Sequence, residues 1–222
     1  MKKDFQIQMN IQQHKIIVKK SARFFSNEIY SSDIKSVWIV LHGYAQLAKD
    51  FINEFDFLSD EDTLIIAAEG LSKFYFRNKI AASWMTKEDR SNEINDYINY
   101  LDKVIEKVKT EFNLSGAKIN LLGFSQGVHT AARWFINSDN YFDNLILCSS
   151  DFPKDADFKK LKSKLEDSKI FFVYGSKDEI INEQKIHKNR KLLKDNEIDF
   201  EEIIFGGKHE INKDSLAKIA NK

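Results

Sequence analysis

The chain has 222 residues, 42% of them apolar, with 34 basic against 34 acidic side chains. That is enough apolar material for one sizeable core, and the balanced charge offers no net field to nucleic acid or an anionic membrane. The single cysteine, Cys148, excludes an internal disulfide, and no run of about 18 apolar residues is present to cross a bilayer.

The basic residues after Met1 have no apolar stretch behind them, and one proline and eight glycines form no linker-like tract. No repeat is visible, so the expectation is a single domain over residues 1–222 in a cytoplasmic protein. Two early stretches fit strands, Gln6–Val18 with partial alternation and Ala22–Asn27 around Phe24-Phe25. Together they predict an antiparallel N-terminal edge over 5–30, ahead of a core over 36–220.

Val37–Leu41 is a continuous apolar run, as expected of a strand buried on both faces, and it ends in the loop His42-Gly43-Tyr44-Ala45-Gln46. Ala48–Phe57 fits an amphipathic helix and Thr63–Ala68 a second buried strand. From Glu69 to Arg90 the residues Phe74, Tyr75, Phe76, Trp84 and Met85 follow no clean period. Over Asn92–Glu111 the positions Ile94, Ile98, Leu101, Ile105 and Val108 recur at helical spacing. A short strand from Lys118 then leads through Gly123-Phe124-Ser125-Gln126-Gly127 into a helix of small residues. Beyond it the pattern predicts strands at Leu145–Ser149, Lys169–Tyr174 and Ile198–Phe205. Helices are expected at Phe158–Leu165 and Asn182–Asp195, with a last one running to Asn221. This alternation predicts an α/β fold, a mostly parallel central sheet with helices on both faces, whose sites lie beyond the carboxyl ends of the strands.

Ser125 lies between two glycines in G-x-S-x-G spacing, with a strand before and a helix after, the setting of a nucleophile elbow. A serine hydroxyl needs a base, and the base needs a carboxylate to fix its tautomer. Among five histidines only His209 follows a strand in a glycine-softened turn and comes last in the order Ser, Asp, His. His14 falls on an edge strand, His129 lies one helical turn past Ser125, His187 belongs to a polar helix, and His42 reads as a loop brace. Asp178, directly after a buried strand, is the candidate acid, and Asp151 after the preceding strand is the alternative. The backbone N–H of Gln126 and that of Tyr44, on a loop that Gly43 allows close, are candidate oxyanion donors. His209-Glu210 is not a zinc helix, because Lys213 stands where the second histidine would be. Neither a metal nor another cofactor is expected.

Taken together, Leu41-His42-Gly43, the pentapeptide around Ser125, Gly175-Ser176-Lys177-Asp178 and Gly207-Lys208-His209 resemble the α/β-hydrolase superfamily. Within it they are similar to the carboxylesterase, phospholipase and acyl-protein thioesterase group, over about residues 36–220. Tyr44-Ala45-Gln46 departs from that group's usual Leu-Gly-Asp, and Lys208 stands where a second glycine is common. The resemblance implies a serine hydrolase that cleaves carboxylic esters or thioesters through an acyl-enzyme. It also implies a small-molecule or lipid-like ester as partner, while the balanced charge and the lack of a long apolar run predict no nucleic acid and no stable membrane insertion; a homodimer is allowed for. Trp84 and Met85 become candidate substrate-binding residues near the nucleophile, with burial in the core as the competing reading for Trp84. A peptidase or deacylase of the same fold, or a non-catalytic small-molecule-binding module, are the alternatives.

Overall fold

Six apolar stretches, each flanked by polar turns, become the parallel strands of one sheet in the computed structural model, which describes residues 11–29 and 31–222. Its elements in chain order are β1 (Phe24–Ser26), β2 (Ser36–Leu41), α1 (Ala48–Phe51) running on as a 3-10 turn (Ile52–Leu58), β3 (Thr63–Ala68), β4 (Ser72–Phe76) and β5 (Lys79–Ser83). They continue with α2 (Arg90–Glu111), β6 (Lys118–Phe124), α3 (Gln126–Asn137), β7 (Asn144–Cys148) and α4 (Phe158–Lys164). The chain closes with β8 (Lys169–Gly175), α5 (Glu183–Asp195), β9 (Glu201–Phe205) and α6 (Lys213–Ala220). The seven-stranded sheet runs β1-β3-β2-β6-β7-β8-β9, with β1 antiparallel to β3 and the other pairs parallel.

Successive side chains of a strand point to opposite faces, so a strand covered on both sides must be apolar at every position. In β2, Val37, Ile39 and Leu41 enter one core with α2 to α5, while Trp38 and Val40 enter the other with Phe51, Phe55 and α6. The same alternation runs through Leu145 and Leu147 against Ile146 and Cys148. The sheet is thereby fixed in register, since a one-residue slip would exchange the two cores.

Chain order reverses at β2. The chain goes from β2 outward to β3, then returns to the other side of β2 as β6, so the loops after β2 and β6 diverge around a crevice at the carboxyl edge. One loop carries Tyr44 and the other Ser125. Leu41 lies opposite Gly123, Phe124 opposite Cys148, and Gly175 opposite Phe205, which brings the later loops to the same edge.

Three expectations need correction, and the unpatterned segment 69–90 gains an element. Residues 6–10 of the first expected strand lie outside the described residues, and 11–18 form no strand: the run Ile16-Ile17-Val18 would need cover on both faces and finds no partner strand. Only Phe24–Ser26 makes the edge. The segment 69–90 contains a two-stranded hairpin, β4 with β5, closed by Arg77 and Asn78 at φ 48° and 63°, the left-handed pair that a tight hairpin requires. The helix expected over 48–57 tightens after Phe51, because Ile52, Phe55 and Leu58 repeat every third residue and a 3-10 helix stacks such residues on one side. Ile198 belongs to the turn after α5, where its N–H caps Leu193 O at 3.0 Å behind Glu197 at φ 56°, so β9 begins only at Glu201.

Phe55 is wholly buried between α1 and the sheet. Phe55→Ala is expected to lower unfolding free energy by about 3–5 kcal/mol, read from urea denaturation, because removing a wholly buried ring leaves a cavity against the sheet.

Candidate active site

At Ser125 the chain turns from β6 into α3 with φ 53° and ψ −116°, outside the regions open to most side chains. A Cβ on Gly123 would strike the Gly127 carbonyl, and one on Gly127 would strike the carbonyl of Leu41. The turn therefore needs glycine on both sides of the serine. Ser125 N–H donates to Cys148 O at 2.9 Å and Val128 N–H to Ser125 O at 3.1 Å, tying the turn to β7 and to the first turn of α3.

Asp178 and His209 come together on the loops after β8 and β9. Gly175 makes this possible, since a Cβ there would meet the backbone of Gly207 and Lys208. The two loops are then laced by Ser176 N–H to Phe205 O and Lys177 N–H to Gly207 O, both 2.8 Å. His209 Nδ1 lies 2.8 Å from Asp178 Oδ2, while Asp178 Oδ1 accepts from the N–H groups of Ile180 at 2.8 Å and Ile181 at 3.0 Å. Burial would raise the Asp178 carboxyl, but the Ile181 N–H, His209 and the Ile180 N–H together outweigh it and hold the group below the usual carboxylate range. The His209 ring rests 5.0 Å from that of Phe124, the residue before Ser125. Among the described residues no hydrogen bond joins His209 to Ser125, as is common before a substrate is bound.

Tyr44 and Gln126 flank the serine. Ideal Cβ geometry at Gly43 falls 3.2 Å from Ser125 Cβ, so the Tyr44 loop passes directly against the elbow. The neighbouring Ala45 N–H is taken by Ala82 O at 3.0 Å, whereas the Tyr44 and Gln126 N–H groups donate to nothing among the described residues. Beneath them His42 is buried, its Nδ1 2.7 Å from Gly43 O and its Nε2 accepting from Gly70 N–H at 3.0 Å. Trp84 is 1% exposed and sits in the core, its Nε1 donating to His42 O at 2.8 Å. Met85 is half-buried, its sulfur facing the guanidinium groups of Arg133 and Arg90 at 3.7 and 3.9 Å.

A sequence profile of the phospholipase/carboxylesterase family matches residues 28–222. The chain belongs to this family of α/β-hydrolases. Acyl-protein thioesterase 2 of Zea mays superposes with a TM-score of 0.67 at 13% identity, covering 90% of this chain and 97% of its own. Esterase PE8 does so at 0.67 and 22%, covering 92% and 97%, and a carboxylesterase of Bacillus cereus at 0.63 and 15%, covering 90% and 92%. No curated protein sequence matches the chain.

Within this phospholipase/carboxylesterase chain the alternative acid has another partner. Asp151 Oδ1 lies 3.3 Å from His129 Nε2, so each candidate carboxylate holds a different histidine. Among the described residues no cluster of three His, Cys, Asp or Glu could hold a metal.

Sequence reasoning missed the side chain of Gln126. Its Oε1 accepts from Trp84 N–H at 3.1 Å and its Nε2 donates to Met85 O at 2.9 Å, with Ser83 Oγ alongside, so the residue after the serine clamps the exit of β5. It also missed Asn189, which donates to Tyr174 Oη at 2.7 Å and accepts from Phe152 N–H at 2.8 Å, fixing the loop after β7. The only signal for either was a polar residue on an otherwise packed helix face.

Burial pushes the His42 imidazole below its ordinary value, more strongly than the bond to Gly43 O raises it, so the folded protein holds it neutral. An unfolded histidine titrates at about 6.5, and below that the unfolded chain binds a proton that the folded chain refuses. Stability is therefore lost as pH falls through about 6.5, at up to about 1.4 kcal/mol per pH unit. Urea midpoints between pH 8 and 5 are expected to fall more steeply for the wild type than for His42→Asn, whose amide does not titrate; parallel curves would contradict the assignment.

Proposed function

We propose that this family member cleaves carboxylic ester or thioester bonds through an acyl-enzyme, with Ser125 as nucleophile, His209 as base and Asp178 as the acid that orients it. The observation that carries the reading is the 2.8 Å bond between His209 Nδ1 and Asp178 Oδ2 on loops laced beside the elbow. Asp178 is filled on one oxygen by two backbone N–H groups, so its other oxygen is aimed, and an Nδ1–H donor to it leaves Nε2 free to accept a proton.

Ser125 Oγ attacks the carbonyl carbon as His209 Nε2 takes its proton. The oxygen that becomes negative is met by the N–H groups of Tyr44 and Gln126, which have no other acceptor among the described residues. Collapse of the tetrahedral species breaks the bond to the alcohol or thiol, which leaves with the proton from Nε2. Water, deprotonated by the same nitrogen, then hydrolyses the acyl-serine. All these groups come from one chain, so the chemistry needs no homodimer and no cofactor. The substrate in this reading is a small-molecule or lipid-like ester whose acyl part lies toward the stacked rings of Tyr44 and Phe74, 5.2 Å apart. Met85 serves as a substrate contact, and Trp84 serves as the floor beneath the site. A cytoplasmic setting fits the lone buried Cys148, whose thiol burial pushes far above its ordinary value.

The test is labelling with a fluorophosphonate probe together with turnover of nitrophenyl esters. Ser125→Ala is expected to lose both while staying folded. Asp178→Asn should lower kcat/KM by about 10³- to 10⁴-fold, as loss of a tautomer-fixing carboxylate does in the serine proteases, and Asp151→Asn by less than about tenfold. A damaging Asp151→Asn with an active Asp178→Asn would overturn the assignment of the acid.

A further inference from the structure

The equal totals of basic and acidic residues conceal a local imbalance. Residues 11–27 include Lys15, Lys19, Lys20 and Arg23 and no acid; residues 70–86 include Lys73, Arg77 and Lys79 and again no acid. The fold brings these two stretches together. Lys20 Nζ donates to Leu71 O at the root of β4, Arg23 and Lys73 share the buried Glu69, and Lys15 reaches Asp89 just ahead of α2. With those carboxylates engaged, Lys19, Lys20, Arg77 and Lys79 have no carboxylate partner among the described residues. Glu93 is engaged by Ser72 and Thr86, and Asp50 and Glu54 line, with Arg77 and Lys79, the cleft of about 390 Å³ between α1 and the hairpin.

The same stretches hold much of the exposed apolar surface. Ile16 and Ile17 are 86% and 104% exposed, and on the hairpin the cross-strand partners Tyr75 and Ile80 are 81% and 56% exposed. Isolated apolar side chains on a surface mean little, but a grouped set beside unpaired cations marks a binding face. Interleaved cations, aromatic rings and branched aliphatics suit one kind of surface in particular. Apolar groups enter the boundary between headgroups and acyl chains, while lysine and arginine meet anionic headgroups. An acidic protein would satisfy the cations but would leave the isoleucines unclaimed.

We infer that segment 11–20 and the β4–β5 hairpin form a peripheral docking surface for an anionic lipid bilayer. Among the described residues no helix is long and apolar enough to cross a membrane, so the attachment is to one leaflet's surface. Tyr44, on the loop that touches Ser125, stacks on Phe74, whose ring lies on the hairpin face opposite Tyr75 and Ile80, so the same hairpin that docks also backs the loop of the candidate site. The consequence for substrate, an ester presented from the membrane, rests on the hydrolase reading above; docking itself does not.

The experiment is co-sedimentation of the full chain with vesicles of phosphatidylcholine alone and of phosphatidylcholine containing phosphatidylserine. Partition is expected only onto the anionic vesicles, weakening as salt screens the cations. Lys19→Gln with Lys20→Gln should lower it about 25-fold, about fivefold for each cation removed. Tyr75→Ser with Ile80→Ser should also lower it, with circular dichroism and fluorophosphonate labelling of Ser125 unchanged. That labelling separates failure of docking from failure of the hydrolase reading. Absence of binding to anionic vesicles, or equal binding by wild type and both variants, would overturn the proposal. So would a wild-type dimer that Tyr75→Ser with Ile80→Ser converts to monomer, since the face would then belong to a second copy.

Discussion

The backbone of Ser125 is the constraint on which the upper edge of the molecule depends. A non-glycine residue at φ 53° costs about 1–3 kcal/mol and persists only where its surroundings leave no alternative. Those surroundings are specific. Gly127 lets α3 start against the carbonyl of Leu41, Cys148 O holds the Ser125 N–H, and Gly43 passes within van der Waals reach of its Cβ. β2, β6 and β7 thus meet at a single residue, and the sheet's double-sided core supplies the stability that keeps the strain in place.

Around that residue, polar contacts are organised as a brace running from the hairpin to the elbow. Trp84 donates to His42 O, His42 turns Nδ1 toward Gly43 O, and the Gln126 amide grips Trp84 and Met85. Two backbone N–H groups beside the serine, one on Tyr44 and one on Gln126 at the start of α3, donate to nothing among the described residues. Burial makes such a brace rigid, because a buried polar group deprived of its partner costs about 1–3 kcal/mol. The loops after β8 and β9 contribute the Asp178–His209 pair by a similar device, backbone lacing around a glycine.

Much of this architecture was legible in the sequence, and for a physical reason. A strand buried on both faces must be apolar throughout, so Val37–Leu41, Thr63–Ala68 and Lys169–Tyr174 announced themselves without any period. The spacing around Ser125 was equally open, because only glycine tolerates the approaches made there. The hairpin was not, since its alternation is broken by aromatic residues on both faces and its turn uses Arg77 and Asn78 in place of glycine. The N-terminal run misled for the opposite reason: Ile16-Ile17-Val18 has the composition of a buried strand but no place in the sheet. Its place in the turn directly after a buried strand favoured Asp178 over Asp151, but sequence could not show that Asp151 faces His129, a contact made across α3 and the loop after β7. Gln126 was singled out for its backbone alone, since sequence carries no sign of where an amide side chain will point.

The central claim is that a strained serine, an aimed histidine and two unsatisfied N–H groups converge on one reacting carbon. A crystal structure of the phosphonylated protein tests it most directly. The account predicts phosphorus bonded to Ser125 Oγ, with the phosphoryl oxygen about 2.7–3.1 Å from both Tyr44 N and Gln126 N. It further predicts His209 Nδ1 still on Asp178. An adduct on another residue, or a phosphoryl oxygen turned away from both N–H groups, would contradict it.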